Sequence, residues 1–238
     1  MKASCSFSTS GDLLTETGLL RLSVNVDSNI LELHSIFMED ASDINAHLAE
    51  RLRSLRAEQG LTLDGLAERT GVSRSMISLI ERAESSPTAA ILDKLAAGLG
   101  VTLASLFAER ENDAASPLAR RTEQRVWRDP DSGYVRRNLS PPGFPSPIEL
   151  VEVIMPAGAR VAYDTGRRSV GVSQQIWIVE GEIELALGDE TWRLLAGDCL
   201  CMDIEQPTIF RNPSDRAARY LVALTADTKS SSPSRRFP

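Results

Sequence analysis

The chain has 238 residues, room for one large domain or two of ordinary size. Hydrophobic residues make up 42% and charged residues 25%, a globular composition. No run reaches the roughly 18 consecutive apolar residues of a membrane-spanning helix, so no membrane partner is expected. The net charge of −7 excludes a generally basic coat for nucleic acid, but leaves room for one small basic surface. Three cysteines, Cys5, Cys199 and Cys201, make no disulfide framework, and a reducing cytoplasm is the expected compartment. Two histidines, His34 and His47, bound any imidazole chemistry to the first fifth of the chain.

Residues 1–40 read as a flexible tail. Seven serines fall before residue 36 and the apolar residues keep no period. Leu13 and Leu14 are followed by Thr15, Glu16 and Thr17, which interrupts the apolar core a secretory signal needs. Either Met38 is the true initiator and the first 37 residues are overrun, or the tail is genuine; both readings stand open. On either, residues 1–37 are expected to be dispensable, because no apolar face offsets the entropy of ordering them.

Helical periodicity begins at residue 44. Ile44, Leu48, Leu52 and Leu55 predict a first helix that Gly60 terminates. Thr62 opens a second helix ending at Gly71, and Ser73 opens a third carrying Ile77 and Ile80. Pro87 and Thr88 open a fourth with Ile91, Leu92, Leu95 and Leu99. Val101, Leu103, Leu106 and Phe107 predict a fifth. Five short helices over 41–107 make an all-α domain, and the charged, apolar-poor stretch in 108–122 reads as a linker. Beyond it the period changes to two. Short runs at Glu149–Met155, Gln174–Val179, Ile183–Leu187, Thr191–Leu195, Cys199–Met202, Thr208–Arg211 and Tyr220–Leu224 predict an all-β sandwich or barrel over 123–227. Residues 228–238 read as a second flexible tail.

The second and third helices have helix-turn-helix geometry. Ala67 is small where helices cross, and Gly71 supplies a left-handed turn. On a helical wheel Ile77, Ile80 and Ser73 share the inner side. Ser75, Ser78 and Arg82 face outward, with Arg74 at the leading edge. Hydroxyls and arginines suit base edges and phosphates, although a solvated helix face has the same look. The segment LRAEQGLTLDGLAERTGVSRSMISLIER at 55–82, followed by SPTAAILDKLAAGLGVTL at 86–103, resembles the phage-repressor-like (XRE) helix-turn-helix family. The resemblance implies insertion of the third helix into the major groove of operator DNA, and binding as a homodimer. By position it makes Arg74, Ser75 and Ser78 base readers, gives Thr62 and Ser73 phosphates to hold, and adds Arg82 to the DNA-facing set. It also pairs Glu81 with Arg56 as a brace for the recognition helix. Seven basic against eight acidic residues over 41–107 mean that positive charge must be concentrated locally.

The second domain resembles the small cupin barrels, through QIWIVEGEIEL at 175–185, LAGDCLC at 195–201 and QPTIFRN at 206–212. Metal-binding cupins carry three histidines and a glutamate. Here the aligned positions are Gln174, Thr208 and the stretch 167–170, and no histidine follows residue 47. No metal, no other cofactor and no catalytic residue are therefore expected. Cys199 and Cys201 read as small core residues rather than ligands. Tyr163 and Trp177 could be pocket wall or ordinary core. With Tyr163, Gln174, Thr208, Phe210 and Arg167 or Arg168, the barrel would suit a small organic effector. The expected function is an effector-responsive transcriptional regulator with no enzymatic activity. The competing reading, a metal-dependent cupin enzyme with an accessory DNA-binding domain, lacks the histidines.

Overall fold

A computed structural model describes residues 43–109, 115–164 and 171–227. The two expected tails, part of the expected linker, and Arg167 and Arg168 lie outside the described residues. Helix α1 covers 43–58 and buries Ile44, Leu48, Leu52 and Leu55 on one face. Helix α2 (Leu63–Thr70) starts where the Thr62 hydroxyl accepts the Gly65 amide, and ends at Gly71 with φ of 70°. That left-handed angle is cheap only for glycine, and it turns the chain into α3 (Arg74–Glu81) within three residues. Ser73 caps α3 by accepting the Met76 amide, and Thr88 caps α4 (Ala89–Gly98) by accepting from Ile91. At the α2–α4 crossing, a Cβ on Gly98 would lie 2.3 Å from Thr70 Cγ2, so this close approach requires glycine.

The expected fifth helix is instead a single 3-10 turn, Ala104–Leu106. Thr102 Oγ1 accepts the Ser105 amide, and the Thr102 and Ser105 hydroxyls donate to Glu149 Oε2 and Oε1 at 2.8 and 3.0 Å. This long-range anchor holds Leu106 and Phe107 in the core, and the chain leaves before an α-helix can wind. The helical region therefore has four α-helices, not five.

Among the described residues the β region holds ten strands: β1 (Val126–Arg128), β2 (Val135–Asn138), β3 (Glu149–Met155), β4 (Arg160–Tyr163), β5 (Gly171–Glu180), β6 (Glu182–Leu187), β7 (Glu190–Leu195), β8 (Cys199–Asp203), β9 (Thr208–Arg211) and β10 (Ala218–Asp227). They form a six-stranded sheet, β1-β2-β3-β10-β5-β8, and a four-stranded sheet, β4-β9-β6-β7, with all pairs antiparallel. Two antiparallel sheets of this kind make the expected all-β sandwich or barrel. Strands β1, β2 and β4 are too short, or too rich in arginine, to show alternation in the sequence. Alternation does govern β5, where Val172, Gln174, Ile176 and Ile178 are buried and Gln175 and Trp177 exposed.

Edge strand β8 overturns two expectations. Leu200 and Met202 take the inward positions, so Cys199 and Cys201 are exposed on the outer face instead of filling the core. Trp177, paired with Cys199, is 47% exposed on that face and is neither core nor pocket wall.

Helical and β regions are joined by buried polar contacts. Asp129, only 3% exposed, accepts the Ala89 amide on Oδ1 at 2.8 Å and so caps α4. Its Oδ2 accepts from the Ser132 amide and hydroxyl, which fixes the β1–β2 turn. Phe107 packs on Trp127 with ring centroids 5.6 Å apart.

Candidate functional site

Two sites are built on this frame. The first is the outer face of α3. Ser73, Arg74 and Ser75 are exposed, Ser78 is half-buried and Arg82 is exposed, whereas Ile77, Ile80 and Glu81 are buried. Sequence spacing placed Ile77 and Ile80 inward, because 3.6-residue periodicity is a local property, but it also put Ser73 inward; Ser73 is exposed, since as the N-cap it has extended backbone and does not follow the helical wheel.

Glu81 receives a two-pronged ion pair. Arg56 Nε donates to Oε1 at 2.6 Å and Nη2 to Oε2 at 2.7 Å, while Nη1 donates to the Leu61 carbonyl at 2.8 Å. Arg53 donates to the Glu81 backbone carbonyl. The pair ties α1 to the end of α3 and raises the Arg56 pKa through the Glu81 hydrogen bond. The two arginines on the outer face already have carboxylate partners. Arg74 Nε lies 3.2 Å from Asp64 Oδ1, and Arg82 meets both oxygens of Glu84 at 2.8 Å while Nη1 donates to Ser78 Oγ at 2.5 Å. Thr62 and Ser73 each use a hydroxyl on their own helix start, at 3.0 and 3.2 Å.

The second site is a cavity of about 70 Å³ at the mouth of the barrel. Tyr163, Gln174, Thr208 and Phe210 all line it, so four of the six expected effector residues converge; Arg167 and Arg168 are not among the described residues. Thr208 is 2% exposed and donates to the Gln206 carbonyl at 3.1 Å. Tyr134 and Tyr163 share a hydroxyl contact at 3.1 Å, and burial pushes the pKa of both, and of Tyr220, upward. All three phenols stay neutral donors at ordinary pH.

Sequence reasoning missed Tyr134, Arg136 and Tyr220 from the barrel, and Asp93, Thr102 and Leu103 from the helical region. The last three make the cavity a junction, closed on one side by α4 and the segment after it. Asp93 and Thr102 are both buried there. The Val-Arg-Arg-Asn sequence of β2 gave no sign that one arginine would point inward, yet the register Arg136↔Val153 puts it on the inner face.

The cupin resemblance of the sequence implies a divalent metal, and this donor set does not fit one. The aligned positions offer an amide and a hydroxyl, and the cavity carries a guanidinium that would repel a cation. Among the described residues no three histidine, cysteine, aspartate or glutamate side chains converge as a metal cluster. No reaction step is assigned to a metal.

The helix-turn-helix (HTH_3) pattern matches residues 52–106. The control protein C.MunI of a Mycoplasma species is 32% identical over 73 residues, which span 30% of this chain and 99% of that protein. The chain belongs to the HTH_3 helix-turn-helix family. Similarity extends beyond this helix-turn-helix region. The HTH-type transcriptional regulator SutR of Escherichia coli is 28% identical over 73% of this chain and 91% of its own length. A crystal structure of an HTH_3 family transcriptional regulator from Vibrio cholerae superposes with a TM-score of 0.60 at 26% identity, covering 77% of this chain and 97% of the other. Among the described residues no helix is long and apolar enough to cross a membrane.

Proposed function

We propose that the chain is a non-enzymatic, sequence-specific transcriptional regulator acting as a homodimer on operator DNA. In this reading residues 41–107 form the DNA-binding domain, 108–122 connect, and the barrel over 123–227 takes a small-molecule effector. The observation that carries it is the α3 surface. A capped helix, held from behind by Arg56 and Glu81, presents Arg74, Ser75, Ser78 and Arg82 outward. Arg74 and Ser75 reach base edges, Ser78 reads alongside, and Arg82 with the Thr62 and Ser73 helix starts holds phosphates.

Arg74→Ala is expected to weaken operator binding by about 1–3 kcal/mol while leaving binding to random duplex nearly unchanged. Gel shifts on both duplexes check this, and equal loss on the two would make Arg74 a phosphate contact. A finer expectation follows from the carboxylate that occupies Arg82. Phosphate must displace Glu84, so Glu84→Gln should tighten operator binding by about two- to fivefold at 0.1 M salt, because exposed pairs are weak. Fluorescence anisotropy measures it, and unchanged or weaker binding would remove Arg82 from the phosphate-contacting set. The effector reading has its own test, a thermal-shift screen of small metabolites on the wild-type chain and on Thr208→Leu, which fills the cavity. It fails if no compound shifts the wild type more than the variant.

A further inference from the structure

Arg136 is a buried guanidinium, 6% exposed, and its Nε and Nη2 have no hydrogen-bond partner. Its Cζ lies 5.5 Å from the centroid of the Phe107 ring, a cation–π contact that gives those N–H donors no hydrogen-bond acceptor. Burying a guanidinium with donors unmade is costly unless something completes it. The same side chain lines the junction cavity, where Tyr134, Tyr163 and Thr208 hydroxyls and the Gln174 amide also stand. Two phenol protons are present in the Tyr134–Tyr163 contact and one suffices to make it, so the other can go to a third acceptor.

We propose that this cavity is an organic-anion site in which Arg136 receives the carboxylate of a small acid. The proposal rests on the reading of the barrel as an effector domain and names the effector's class. A carboxylate matches the fork of an arginine with two parallel hydrogen bonds, and neutral phenols donate to it without opposing charge. Val153, Val172, Val222 and Leu224 supply apolar wall, which favours an organic acid over an inorganic anion. Asp93 lines the α4 side, so the carboxylate sits toward the barrel and any hydroxyl or amine of the ligand faces α4. The cavity of about 70 Å³ limits the acid to a few carbons.

Position supplies the regulatory consequence. Arg136 touches Phe107, which follows the 3-10 turn of the DNA-binding domain, and the ligand also meets Thr102 and Asp93. Filling the site therefore changes contacts on the barrel and on α4 together, the differential contact that coupling to operator binding requires.

The test uses the full chain, titrated calorimetrically with propionate and lactate against propionamide and lactamide, with sulfate at matched ionic strength as the inorganic control. The expected result is at least tenfold tighter binding of each carboxylate than of its amide, and little competition from sulfate. Arg136→Gln should abolish that preference. Arg136→Lys keeps charge without the fork and should bind propionate more weakly than wild type, which covers a failure of the glutamine variant to fold. Amides binding as well as acids, or sulfate competing equally, would overturn the anion assignment while a ligand-filled cavity leaves the effector reading standing. Absence of binding by every probe overturns the assignment too, and the effector reading then stands or falls with the metabolite screen.

Discussion

Arg56→Ala is expected to destabilise the helical region by about 3–5 kcal/mol, the cost of leaving a buried carboxylate without its counter-charge. Glu81 has only 7% of its side chain exposed, and Arg56 supplies two of its hydrogen bonds. The loss would appear as a fall of roughly 6–20 °C in melting temperature. Operator binding should fall as well, because the end of α3 loses its tie to α1. The double variant Arg56→Met/Glu81→Leu should recover most of the stability, since two apolar groups of similar size bury no charge. Urea unfolding of the single and double variants measures both effects. A single variant as stable as wild type would mean that solvent already compensates Glu81, and that the pair does not brace the recognition helix.

Asp129→Ala carries the second large effect. Its carboxylate caps α4 from the barrel side and holds Ser132, so truncation leaves the buried Ala89 amide unpaired. An expected loss of about 2–3 kcal/mol combines a missing cap with an unsatisfied donor. Asp129→Asn keeps an acceptor for Ala89 and should recover at least half of it. Because α4 also walls the cavity, the alanine variant is further expected to weaken the link between ligand and operator. Denaturant midpoints settle the stability part, and an unchanged midpoint would show that water replaces the carboxylate at the α4 start.

What was legible in the sequence follows the range of the interactions concerned. Caps at Thr62, Ser73 and Thr88, and the left-handed turn at Gly71, depend on three or four neighbouring residues, so their chemistry can be read directly. The inner and outer faces of α3 are similarly local. The Arg56–Glu81 pairing came from family resemblance, because spacing alone does not say which turn of α1 meets α3. Failures occur where distant strands decide. Glu149 of β3 binds Thr102 and Ser105 and holds a 3-10 turn where apolar spacing predicts a helix. Edge register turns Cys199 and Cys201 outward, since Leu200 and Met202 fill the inner side. Arg136 was hidden in a short, arginine-rich strand whose inward position is set by pairing with β3. The cavity residues at Gln174 and Thr208 were found because motif alignment marks the barrel's inner positions. Those contributed by α4 and the segment after it were not, because no local pattern says that the helical region closes the barrel.

The central claim is that α3 reads a DNA sequence. Selection of bound duplexes from a random library by the full-length chain, followed by competition against random DNA at fixed salt, tests it most directly. The expected result is enrichment of a two-fold symmetric site bound at least about a thousandfold more tightly than random duplex, with the preference reduced at one half-site position by Arg74→Ala. Failure to enrich any sequence, with binding to all duplexes equal and lost together as salt rises, would contradict it.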